Sequence, residues 1–156
     1  MKKINHLAWL VRSENVAHYV GQLEALLDTK FERMSDESAD AYVNWDSGLE
    51  IVVPAATSSS GADYLRSILD ERGEGPFMLA VRVPDLDAAV EQARAVGFAV
   101  GAEMTPADPE ERLAAIRSFT EKVDDIREVP LGDFVGIGLV LCQIAYAQER
   151  DGDASK

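Results

Sequence analysis

A strand-like apolar run leading straight into an amphipathic helix occurs twice in this chain. That repetition restricts the available folds more than any other feature. Residues 4–11 (INHLAWLV) carry strand character, and Ser13-Glu14-Asn15 then signals a helix start. From Val16 to Leu27 the apolar residues Val16, Ala17, Val20, Leu23, Leu26 and Leu27 fall on one stripe, which predicts a helix. A short strand at 31–34, a polar turn at 36–40 and a hairpin of 41–45 with 49–53 around Asp46-Ser47-Gly48 follow, and Pro54 ends the series. The second copy begins at 77–83 (FMLAVRV), where the run from Met78 to Val83 lines up with the run from His6 to Val11. Pro84 ends this strand, Asp85 caps a helix over 86–96, and Gly97 closes it. Residues 98–104 read as a short strand, and 125–131 with 134–144 as a closing pair around Gly132-Asp133. Neither half can bury a sheet face alone, so the two are expected to pair.

Two segments lie outside the repeat. Residues 55–62 (AATSSSGA) are small and polar and read as a flexible connector, followed by a helix at 63–73 striped by Tyr64, Leu65, Ile68 and Leu69. Residues 106–123 open with Asp108-Pro109-Glu110-Glu111, a helix N-terminus, and carry Leu113, Ile116, Phe119 and Val123 as an apolar stripe. This segment reads as a lid or an extra helix.

The net charge of −13 repels phosphate backbones, which argues against a nucleic-acid partner. It favours cationic ligands, or simply keeps the protein soluble. No apolar run approaches the roughly 20 residues of a membrane span, and the start reads as a strand and not an export signal, so the expected location is cytoplasmic. The single cysteine, Cys142, allows no internal disulfide.

In order and spacing, INHLAWLV, GLEIVVP, GPFMLAVRVPDLDAAVEQARAVGF and GIGLVLCQ resemble the vicinal-oxygen-chelate superfamily, which includes glyoxalases, bleomycin-resistance proteins and extradiol dioxygenases. The resemblance implies an α+β fold of two βαβββ modules forming a curved mixed sheet around a cavity, with helices on the outer face. It spans one domain over 1–147, with modules at about 4–54 and 77–145 and a polar tail at 148–156. It also implies a homodimer. The family's metal positions, on the first and last strand of each module, map to His6, Glu50, Met78 and Val140. Only His6 and Glu50 can hold a hard or borderline cation, so the expectation is no metal cofactor. The alternative is a weakly held divalent ion such as Zn, Fe, Ni or Mn on that pair.

Strand alternation predicts that His6, Ala8 and Leu10 share the cavity face with Glu50, Val52, Met78, Ala80, Arg82, Val140 and Cys142, while the intervening apolar residues pack under helices. His6 and Glu50 are tentative catalytic residues, a general acid and base, and as a buried pair are expected to be charged together. Arg82 could grip a ligand carboxylate or simply reach solvent. Met78 and Val140 would line the cavity, and one of Tyr42 and Trp45 would stack on a planar ligand. Cys142 reads as buried and inert, and His18 as a surface residue. Two functions fit. One is a small-molecule-binding protein with a degraded metal site, holding an aromatic or polycyclic ligand. The other is a lyase or isomerase using His6 and Glu50. Whether the chain is an enzyme stays open at this point.

Overall fold

A computed structural model describes residues 3–147, so the expected polar tail at 148–156 lies outside the described residues. The class is α+β, as expected, with seven strands and four helices among the described residues. No helix among them is long and apolar enough to cross a membrane. The chain divides into two compact units, residues 6–78 and, within the described residues, 79–147 with 3–5.

The first unit runs β1 (Lys3–Leu10, from His6 on), α1 (Val16–Leu27), β2 (Glu32–Ser35), β3 (Ala39–Asn44), β4 (Leu49–Pro54) and α2 (Ser60–Arg72) into the start of β5 (Gly75–Arg82). Its strand order is β2-β3-β4-β1. The β2–β3 and β3–β4 pairs are antiparallel, and β1–β4 is parallel with Ala8 opposite Glu50. Period-two alternation separates two apolar faces. On one, Val11, Ile51 and Val53 pack with Val16, Tyr19, Val20 and Leu23 of α1. On the other, Ala8, Leu10 and Val52 pack with Leu65 and Leu69 of α2.

Within this unit, α1 packs on the Val11/Ile51 side and α2 on the Ala8/Leu10 side. The reason is the Leu65/Leu69 stripe, which needs an apolar partner and finds it on the Ala8/Leu10 side of β1. The 55–62 segment is not a loose connector. Ser59 caps α2 by accepting from the Ala62 amide at 3.1 Å. The Arg66 guanidinium donates to the carbonyls of Ala55, Ala56 and Thr57.

The second unit continues β5 into α3 (Leu86–Ala95), α4 (Pro109–Arg117), β6 (Val123–Phe134) and β7 (Ile137–Tyr146). Its strand order is β5-β7-β6. Asp85 caps α3 by accepting from the Ala88 amide at 2.9 Å, as its sequence position predicts. Leu86 and Val90 of α3 pack on Val83, Val129, Leu131 and Leu141.

Three expectations fail in this unit. Residues 98–104 form no strand. They reach β6 through the Gly101 amide on the Pro130 carbonyl and the Met104 amide on the Glu128 carbonyl, both at 2.8 Å. Pro130 has no N–H to return, so the ladder cannot close around it. The hairpin tip falls at Val135-Gly136, with φ of 56° and 85°, and not at Gly132-Asp133. Gly132, at φ 76°, instead sits where the β6–β7 register shifts between Pro130 and Asp133, so its freedom serves a bulge. Finally, α4 is capped by Asp108 as expected but ends at Arg117, leaving Phe119 and Val123 beyond it. It is pinned by the buried Arg112, whose Nε donates to Asp125 Oδ1 at 2.8 Å. Arg112 Nη1 also donates to the Pro106 and Ala107 carbonyls, which makes the 106–123 segment a clamped helix.

Candidate functional site

The parallel β1–β4 pairing sets Ala8 against Glu50, so His6, two residues earlier on the same face, becomes a diagonal neighbour of that carboxylate. His6 Nε2 lies 3.5 Å from Glu50 Oε2, and the two side chains are only 11% and 15% exposed. Burial pushes the imidazole down to about 4. At neutral pH the ring is therefore uncharged. This corrects the expectation of a charged pair: the cost of taking the imidazolium out of water exceeds the attraction of a carboxylate at this distance. A neutral imidazole offers one donor and one acceptor nitrogen.

The face around this pair is apolar. Met78 packs with Ala8, Leu10 and Val52, so it lines the same side as His6 within the first unit. Tyr42 and Trp45 separate as their spacing requires. Tyr42 sits opposite Ile51 on β4 and packs with the α1 side. Trp45 Nε1 donates to Glu32 Oε2 at 3.1 Å. Glu32 pairs with Val43, and Val43 with Glu50, so the indole is tied to the Glu50 face.

In the second unit, Val140 is 3% exposed and stands opposite Pro130. Arg82 is engaged with its own unit: Nη2 donates to the Ile144 carbonyl at 2.9 Å, and the guanidinium lies 5.2 Å from the centre of the Tyr146 ring. Cys142 is fully buried, and burial, reinforced by the nearby Glu128, pushes its thiol up to about 12. That makes it inert as a nucleophile.

Glu128 is the polar residue that reading the sequence missed. It lies directly opposite Cys142 in the β6–β7 register, on the Val140 side of the sheet. Burial raises its carboxyl to about 7. A titration near neutrality in a buried position is a feature of functional sites. The one local signal was alternation along β6, where Val129 and Leu131 take the α3 side and leave Glu128 on the other.

The internal repeat gives an alignment free of outside reference. The Val11 amide donates to the Val52 carbonyl at 2.9 Å, and the Val83 amide to the Cys142 carbonyl at 2.8 Å. Counting back equally from both bonds, His6 and Glu50 occupy in one repeat the positions that Met78 and Val140 occupy in the other. Two donors, a thioether and an aliphatic side chain do not make the three-ligand set of a catalytic zinc site. Among the described residues, no three of His, Cys, Asp and Glu converge. Of these four positions, only His6 and Glu50 carry nitrogen or oxygen donors.

The order of elements and the repeated strand bond define the class: the chain has the vicinal-oxygen-chelate fold. Among solved structures it is similar to methylmalonyl-CoA epimerase from Mycobacterium tuberculosis, at 21% identity and TM-score 0.60, covering 94% of this chain and 91% of that one. It is similar also to a variant methylmalonyl-CoA epimerase from Streptomyces coelicolor in complex with 2-nitronate-propionyl-CoA, at 18% identity and TM-score 0.62, covering 92% and 97%. A third is a mutant 4-hydroxymandelate synthase from the same organism, at 16% identity and TM-score 0.63, where 94% of this chain matches 50% of that one. These identities establish a likeness of fold. No family model and no curated protein sequence matches the chain.

Proposed function

We propose that this protein binds a small, largely aromatic or polycyclic molecule on the His6/Glu50 face of its first unit, without a catalytic metal. One observation carries the reading. A buried neutral imidazole stands 3.5 Å from a carboxyl group beside Met78, on the face where Ala8, Leu10 and Val52 are packed under α2. An apolar wall with a few convergent polar groups is the usual construction of a small-molecule site. The ligand's apolar body lies along Met78, and the Trp45 indole offers a stacking edge. A ligand hydroxyl or amine donates to Glu50, and His6 supplies the matching donor or acceptor. Thermal unfolding against a panel of aromatic and polycyclic compounds tests this. At least one compound raises the melting temperature of the native chain, and His6→Ala or Glu50→Ala removes the rise. A panel in which nothing shifts the transition overturns the reading. A homodimer and a cytoplasmic location go with it, the former checked by sedimentation.

A second reading rests on the methylmalonyl-CoA epimerases among the structural neighbours and on the His6–Glu50 approach itself. In it the pair moves a proton on a bound substrate, as a lyase or isomerase would. Stoichiometric divalent metal in freshly purified protein, or solvent deuterium entering an acyl-CoA with an acidic α-proton, would favour it over binding alone.

A further inference from the structure

Within the first unit, a cavity of about 800 Å³ opens between α1 and the sheet face opposite Glu50. Trp9 and Ile51 form its floor, Tyr19, Leu23 and Leu26 its wall, and Glu74 its edge. It exists because α1 meets the sheet through Val16, Tyr19, Val20 and Leu23, with no residue of the helix fully buried. Leu26, on the last turn, is 77% exposed. The volume lies within the roughly 300–1,000 Å³ typical of small-molecule sites. Strand alternation puts this cavity on the other side of β1 and β4 from His6 and Glu50, so it is distinct from the site proposed above.

Among the described residues, Glu74 is the one charged group lining it. Its Oε1 accepts from the Arg12 amide at 2.7 Å and from Asn15 Nδ2 at 2.9 Å, and its Oε2 accepts from the Tyr19 hydroxyl at 3.0 Å. The Arg12 amide, the Asn15 side chain and the Tyr19 hydroxyl together hold the carboxyl below the usual range, so it is an anion at neutral pH. A carboxylate has about four lone-pair sites, which leaves room for one more donor. The geometry points to a second ligand site, taking an apolar organic cation: an aromatic body over Trp9 and Tyr19 with a protonated amine against Glu74. Indole and phenol faces attract such cations, and the −13 net charge draws them in.

The test uses rhodamine 6G, with fluorescein as a probe of similar ring system and opposite charge. Fluorescence anisotropy on the full chain gives affinity, and the two indole N–H resonances report location. Rhodamine 6G is expected to bind and to move the Trp9 signal while Trp45 stays put, with fluorescein at least about tenfold weaker. Glu74→Gln weakens the cation about tenfold. Ala25→Trp, an exposed position on α1 that lines the cavity, abolishes the Trp9 shift without unfolding the chain, and His6→Ala leaves that shift unchanged. Three results overturn the proposal. The dye fails to bind up to about millimolar concentration, where even a weak site fills. Or it binds with the Trp9 resonance unmoved and is lost in His6→Ala. Or Ala25→Trp dissolves a dimer of the chain, which would make the cavity a contact between copies.

Discussion

Glu128 and His6 are both buried with their neutral forms favoured, and they pull stability in opposite directions as pH changes. For His6 the folded value of about 4 lies below the ordinary 6.5. Its cost is absent above 6.5 and grows as pH falls from there toward 4. For Glu128 the folded value of about 7 lies above the ordinary 4.5. Its cost is absent below 4.5 and grows as pH rises toward 7. Each is on the order of 3 kcal/mol. Between pH 4.5 and 6.5 the two slopes oppose, and single variants should separate them. In urea unfolding, Glu128→Gln is expected to be more stable than the native chain above pH 7, by up to about 3 kcal/mol. It should then lose stability as pH falls from 6.5 to 4.5, because only the His6 slope remains. His6→Gln should show the reverse, losing stability as pH rises across the same window. A native-like profile in both variants would remove the electrostatic description of these two sites. Neither buried titration was legible in the sequence, since both depend on what the sheet stacks around the residue.

At the scale of elements, the hairpin tip between β6 and β7 holds a correctable strain. Val135 is a β-branched residue at φ 56°, it is 91% exposed, and so nothing in its packing offsets that backbone. Asp133 Oδ1 accepts the Gly136 amide at 2.9 Å and holds the turn. Val135→Asn creates the Asn-Gly pair that two-residue hairpins favour and is expected to add about 1 kcal/mol of stability, read as a rise in the unfolding midpoint. No change would mean that the tip already relaxes in solution. The tip was misread because Gly132-Asp133 has the composition of a turn, and composition does not distinguish a bulge from a turn. By contrast, α1 has the limits its stripe predicts, Val16–Leu27, and the caps Asp85 and Asp108 work as their positions suggest. Those signals are local: they depend on residues three or four apart.

For the molecule as a whole, the dominant physical term legible from composition is charge. At −13 over 156 residues the folded chain repels itself more than the expanded one. Raising sodium chloride from about 10 mM to about 300 mM shortens the screening length from about 30 Å to several Å, and the melting temperature should rise. A fall would mean that ion pairs such as Arg127 with Glu103 outweigh the repulsion. The repeat was legible because it is written in strand alternation and helix stripes; it led to the α+β class and set His6 against Met78, while Glu50 and Val140 came from the family resemblance. By itself the sequence determined the type of most elements and the two faces of each strand, because periodicity and side-chain chemistry are properties of neighbouring residues. Tertiary structure alone decided that α2 covers the Ala8/Leu10 face, that Glu128 is buried opposite Cys142, that the His6 ring is neutral and that α1 leaves a cavity over Trp9. Each of these depends on how closely segments distant in the chain approach one another, and that distance sets both solvent access and the cost of carrying charge.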